Sequence, residues 1–139
     1  MTSSSTPPPT GPPPTVWPAF RAADAPALIR WLVDVLGFVE TLVVRDGELV
    51  AHAQLSWPPG GGVMLGSVRE QGDWKVVPGG SGAYLVTDDV EPLWSRVQAA
   101  GAEVLRPLHQ PDYGGQEFGV RDPEGNSWSV GSYRGEPVP

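Results

Sequence analysis

The chain has two imidazoles, His52 and His109, and no cysteine, and that inventory decides which chemistry is open to it. Without thiols there is no disulfide framework, no thiolate metal site and no cysteine nucleophile. Two histidines are also too few for a catalytic zinc held by three. Acid–base chemistry and recognition remain. His52 stands between Ala51 and Ala53 in a strand-like run, and histidine is the side-chain type suited to general-base work near neutral pH. It reads as a general base, as a ligand contact, or as a hydrogen-bonded structural histidine. Arg21 and Glu117 either anchor a ligand or form an ion pair with each other across the sheet. His109 sits among the turn formers of 108–112 and is expected at the surface. Trp31, Trp94 and Trp128 read as core and Trp74 as linker, whereas Trp17 and Trp57 lie where an indole would stack on a ligand. The turn Pro58-Pro59-Gly60-Gly61-Gly62 lacks the Lys and Ser/Thr of a phosphate-cradling loop and leads into a strand, so that reading is set aside.

The elements that must position these residues emerge from an internal repeat. Shifting the sequence by 64 lays Ala19, Phe20, Asp24, Ile29, Val33 and Gly37 on Ala83, Tyr84, Asp88, Leu93, Val97 and Gly101. Farther on, a shift of 65 lays Pro58, Gly60, Gly66 and Ser67 on Pro123, Gly125, Gly131 and Ser132. Each copy therefore reads as a strand (16–22, 82–86), a helix and three more strands (about 40–44, 49–57 and 62–67, then 103–107, 116–121 and 127–133), with 69–80 as the linker. Asp24 and Asp88 or Asp89 are the expected N-caps, with Pro26 and Pro92 near the helix starts, where a missing N–H costs nothing. Leu28, Leu32, Val35 and Leu36 form the buried stripe of the first helix, and Leu93, Val97 and Ala100 that of the second. Gly37 and Gly101 supply left-handed caps.

Strand alternation assigns two faces. Phe20, Ala22, Ala51, Ala53, Leu55, Leu65, Phe118, Val120, Trp128 and Val130 should meet the helices. Trp17, Ala19, Arg21, His52, Gln54, Met64, Tyr84, Glu117 and Ser129 should line the other face, with Trp57 and Tyr113 at its rim. An aromatic and thioether surface carrying a few polar groups is the usual lining of a small-molecule site.

Eighteen glycines and 17 prolines in 139 residues oppose a helix bundle and favour short strands joined by tight turns. Residues 1–15 hold nothing to bury and read as a disordered tail, residues 16–134 as one domain, and 135–139 as a C-terminal tail. The formal charge of -7 provides no footprint for nucleic acid or an anionic membrane, while it would suit a cationic ligand. No apolar run approaches the roughly 18 residues of a membrane span, and the first residues have no secretory pattern. A cytoplasmic location is expected.

Asp34-Val35-Leu36-Gly37-Phe38 closing the first helix, His52-Ala53-Gln54-Leu55 followed by Val63-Met64-Leu65-Gly66, and Asp122-Pro123-Glu124-Gly125-Asn126 are the most distinctive pieces of two tandem βαβββ modules, about 16–68 and 81–134. This plan resembles the vicinal oxygen chelate superfamily of glyoxalase I, bleomycin-resistance proteins and extradiol dioxygenases. The stretches 113–118 and 128–131 resemble its glyoxalase-like branch. The resemblance implies an α+β fold in which a curved mixed sheet encloses a pocket, and usually a homodimer. It also implies metal ligands on the first and last strands of each module, and those positions fall on Trp17, on Ser81 or Gly82, on Met64 and on Ser129. None suits a divalent ion, so no metal or other cofactor is expected. The reading that follows is a metal-free protein sequestering an antibiotic or aromatic metabolite. Its ligand would meet Trp17, Arg21, His52, Gln54, Trp57, Met64, Tyr84, Tyr113, Glu117 and Ser129. The alternative is a metal-independent isomerase, lyase or cyclase with His52 as base.

Overall fold

The computed structural model describes residues 12–73 and 75–139; the first eleven positions of the expected tail, and Trp74, lie outside them. Each module folds as β1 (Ala19–Ala22), α1 (Ala25–Trp31), β2 (Val39–Asp46), β3 (Leu49–Ser56) and β4 (Gly62–Ser67), then β5 (Gly82–Val86), α2 (Val90–Ala99), β6 (Glu103–His109), β7 (Glu117–Arg121) and β8 (Ser127–Gly131). They form two four-stranded mixed sheets, ordered β1-β4-β3-β2 and β5-β8-β7-β6. The first strand of each module pairs in parallel with the last, and the other pairs are antiparallel.

The register corrects the alignment of the two copies. Ala19 faces Met64 across β1 and β4, and Tyr84 faces Ser129 across β5 and β8. A shift of 65 therefore already holds in the first strand, where buried Phe20 matches buried Leu85 and Ala19 matches Tyr84. The same shift relates the N-caps Asp24 and Asp89 and the buried pair Leu32 and Val97. Gly37 and Gly101, both left-handed with φ of 88° and 70°, are nevertheless 64 apart. The first helix thus carries one extra residue, and it is accommodated where α1 runs on as a π-helical turn, Leu32–Leu36. A single inserted residue widens one turn in this way. The carbonyls of Asp34 and Val33 at that turn accept from Arg96 Nε (2.9 Å) and Nη2 (3.3 Å) of α2, a charge-assisted link between the modules.

Other details differ from the expectation. The first strand starts at Ala19, not at residue 16, leaving Trp17 ahead of it. On α2 Val90 and Val97 are buried while Ala100 is exposed. A register shift between Val44 and Arg45 sets Val44 opposite His52 and Arg45 opposite Val50. The extra residue, Ala51, is thereby turned from the core, and fully buried Val50 takes its place.

One hydrophobic cluster spans both modules. Phe20 of β1 stacks on Trp128 of β8 with centroids 5.0 Å apart and planes at 14°, and Phe38 meets Trp128 edge-on at 5.7 Å. Such pairs add about 0.5–1.5 kcal/mol to the burial itself. The turn Asp122-Pro123-Glu124-Gly125-Asn126 is a second fastening. Glu124 accepts from the backbone N–H groups of Ala23 (2.7 Å) and Asp24 (2.9 Å), at the start of the first helix.

Candidate functional site

On the face of the first sheet away from the helices, Arg21 of β1, His52 and Gln54 of β3 and Met64 of β4 follow from strand alternation. Ala19, Arg21, Ala51, His52, Met64 and Gly66 line an open cavity of about 160 Å3. Gln54 lies opposite Met64 and extends that face. His52 has no side-chain partner among the described residues and directs its imidazole to the cavity. Arg21 reaches the Ser67 carbonyl with Nη1 at 3.5 Å. Trp17 is not in this cavity: its indole N–H donates to the Pro14 carbonyl at 3.3 Å, and its ring lies over Gly62.

The second sheet presents a different group. Glu117 begins β7, is 8% exposed, and stands opposite His109 at the end of β6. The Tyr113 hydroxyl donates a short hydrogen bond to Glu117 Oε2, and His109 Nε2 lies 3.3 Å from Oε1. His109 Nδ1 is 2.8 Å from the Pro107 carbonyl, whereas buried Nε2, although close to the carboxylate, makes no hydrogen bond among the described residues. Tyr84 donates to the Tyr133 carbonyl at 2.8 Å, and the Tyr113 and Tyr133 rings meet edge-on at 5.0 Å. Ser129 lies beside Tyr84 on the neighbouring strand.

Besides the placement of Trp17, three expectations change here. Arg21 and Glu117 do not pair; the carboxylate is engaged within its own module. His109 is not a surface residue, its side chain being only 21% exposed. Trp57 does not border the cavity of Arg21 and His52: it is 7% exposed, packs against Phe38, and donates from its indole to the Val86 carbonyl at 2.9 Å. The missed residue carried a signal. His109 and Glu117 are each 65 positions after Val44 and His52, and both pairs face each other across antiparallel strands. His52 and Glu117 hold equivalent positions in the two modules.

The Glu117 bond, with burial and the carboxylate charge adding to it, pushes the Tyr113 phenol from 10.0 up to about 12. Burial, followed by the Glu117 charge, raises Tyr84. Tyr113 therefore keeps its proton, and its bond to Glu117, until pH rises through about 12. In Glu117→Gln, with the largest cause removed, the phenol should ionise nearer its ordinary value. Ultraviolet absorbance of the phenolate against pH checks this, and superimposable curves for the two proteins would contradict it.

The strand pairing moves two of the positions expected for metal ligands: Ala19, not Trp17, faces Met64 across β1 and β4, and Tyr84, not Ser81 or Gly82, faces Ser129 across β5 and β8. A methyl group, a thioether, a phenol already donating to a carbonyl and a lone hydroxyl do not make a divalent-ion site. Among the described residues no group of three or more His, Asp or Glu side chains is placed to hold a metal ion. No helix among them is long and apolar enough to cross a membrane.

Tandem βαβββ modules with polar groups on the open sheet faces define a glyoxalase-type scaffold. The family model for the Glyoxalase/Bleomycin resistance protein/Dioxygenase superfamily matches residues 15–130, and the chain belongs to that superfamily. Among solved structures, TioX from Micromonospora sp. ML1 is similar at a TM-score of 0.70 and 29% identity, covering 81% of this chain and 93% of that one. A glyoxylase/bleomycin resistance protein/dioxygenase domain from Frankia sp. EAN1pec superposes at 0.66 with 18% identity, covering 89% and 100%. A lactoylglutathione lyase from Agrobacterium tumefaciens superposes at 0.65 with 24% identity, covering 86% and 94%; these two likenesses concern the fold. No curated protein matches the chain.

Proposed function

We propose that this superfamily member is a metal-independent binding protein that sequesters a small, partly aromatic molecule such as an antibiotic or a metabolite. The observation that carries the reading is the exchange of chemistry on the paired strands. Ala19, Met64, Tyr84 and Ser129 occupy them, while the sheet faces away from the helices carry Arg21, His52 and Gln54, and buried Glu117 beneath Tyr113, beside apolar and aromatic groups. Such a surface binds by burying rings and uses its few polar groups for orientation.

The working form in this reading is a homodimer. Val39, Leu42 and Val44 on β2 and Val104 and Leu105 on β6 are at least 40% exposed, and both strands are sheet edges. Apolar edge strands are normally covered, and a second copy would at the same time deepen the shallow open faces.

Native mass spectrometry of the protein isolated gently from its own cells tests the proposal. The expected result is two chains with a bound organic compound, no stoichiometric metal, and a compound recovered unchanged after incubation with fresh protein. A tightly held divalent ion would overturn it. So would conversion of the compound that is abolished in His52→Gln, the outcome required of a His52-dependent isomerase, lyase or cyclase; loss of a general base costs roughly a hundredfold or more in turnover.

A further inference from the structure

Among the arginines, Arg21 is in an unusual position. Arg69, Arg121 and Arg134 pair with Asp46, Glu103 and Asp88, Arg96 caps the carbonyls of the π turn, and Arg30, Arg45 and Arg106, which have no ion pair among the described residues, are exposed to water. Arg21 is half-buried, yet none of the ion pairs among the described residues includes it. Among the described residues its one hydrogen bond is the 3.5 Å contact with the Ser67 carbonyl, at the outer limit of such a bond. A guanidinium has five N–H donors in a planar fork, so most of them have no acceptor among the described residues. A half-buried cation without an anion is costly in a chain with 16 acidic residues available to pair with it.

The surroundings hold that fork in place. Gly66 lies directly opposite Arg21 on β4, and a Cβ there would come within 2.7 Å of Arg21 Nη1. The guanidinium thus occupies the space a side chain would fill. Beside it are the unpartnered imidazole of His52 and the thioether of Met64.

We infer that this cavity takes the carboxylate end of an aromatic ligand, with Arg21 gripping both oxygens, His52 beside them and the ring lying toward Met64. The inference rests on the proposed binding function and names the ligand class for it. A carboxylate matches the fork in two parallel hydrogen bonds, which a neutral or cationic group cannot do. At about 160 Å3 the cavity is smaller than the roughly 300–1,000 Å3 of a drug-sized site, so it holds one end of the molecule while the rest reaches outward. The net charge of -7 opposes anions only weakly, because charges beyond about 8 Å are largely screened at physiological salt.

Calorimetric titration with 2-naphthoate, 2-naphthamide and 2-naphthylmethylamine tests this. The native protein should bind the acid at least about tenfold more tightly than the amide or the amine, the scale of one charge-assisted bidentate contact. Arg21→Met should bring acid and amide to parity, and Arg21→Lys should keep part of the preference. Gly66→Ala, which removes no charge, should weaken the acid by displacing the guanidinium. Equal binding of acid and amide by the native protein, tighter binding of the amine, a preference that survives in Arg21→Met, or no binding of any probe at millimolar concentration would each overturn the inference. The mass measurement above does not use these probes. A neutral or cationic compound recovered there, unchanged and metal-free, would leave the binding function standing while the carboxylate assignment fell.

Discussion

Asp122→Ala should destabilise the protein by about 3 kcal/mol or more, a large share of the 5–15 kcal/mol that holds a typical domain together. Asp122 is 5% exposed and accepts four hydrogen bonds. Oδ1 takes the backbone N–H groups of Glu124 (2.8 Å) and Asn126 (3.0 Å), while Oδ2 takes Asn126 Nδ2 (2.9 Å) and Trp128 Nε1 (2.8 Å). Removing the carboxylate strands these donors away from water, and each unsatisfied buried group costs about 1–3 kcal/mol. The damage would spread, because this turn orients Glu124 toward the first helix and Trp128 toward Phe20. Asp122→Asn keeps the shape but offers an NH2 to two of the donors, and should fall between the two proteins. Urea unfolding followed by tryptophan fluorescence measures both, and a loss below about 1 kcal/mol for the alanine variant would show that the turn does not fasten the modules.

Much of this fold is legible in the sequence because a repeat states each element twice. Asp24 and Asp89 mark the helix starts, Gly37 and Gly101 their ends, and the buried faces of β3, β4, β7 and β8 alternate as strands must. The expectation failed where one residue was gained or lost without a compositional mark. The similarity of Ala19-Phe20 to Ala83-Tyr84 pointed to a shift of 64, but burial decides the register and sets Phe20 with Leu85. The extra residue lies inside the first helix, where a π turn absorbs it. No residue type announces a hydrogen bond lengthened by one position. The bulge that exchanged Ala51 for Val50 was silent for the same reason.

The candidate site was legible by face and not by partner. Alternation placed Arg21, His52, Met64, Tyr84 and Glu117 on open faces, but which groups touch depends on how the modules sit together. Glu117 thus found Tyr113 and His109 within its own sheet rather than Arg21. His109 was set in a loop because Pro107 reads as a strand end. β6 is an edge strand, where a missing N–H leaves no ladder bond unmade, so the strand runs on through the proline and turns His109 to face Glu117. Of the six tryptophans, Trp17 and Trp57 read alike as ligand contacts; burial and the indole's hydrogen-bond partner identify Trp57 as a strut.

Trp57→Ala should accordingly behave as a core substitution and cost about 3 to 5 kcal/mol, the range for removing a buried Trp or Phe side chain. Three features set this scale. The side chain is 7% exposed, its ring packs against Phe38 with centroids 5.0 Å apart, and its indole N–H satisfies the Val86 carbonyl at the end of β5. That bond ties the end of β3 in the first module to the first strand of the second, so its loss should loosen the modules against each other. Trp57→Phe retains much of the ring packing and deletes the donor, and should cost only about 1–2 kcal/mol, the penalty of one unsatisfied, partly buried carbonyl with a small cavity. A ligand contact would behave in the opposite way, since an exposed indole contributes little to the stability of the free protein. Chemical denaturation of both variants without any ligand separates the two roles. Native-like stability of Trp57→Ala, together with weakened binding of the compound recovered from cells, would return Trp57 to the rim of the site.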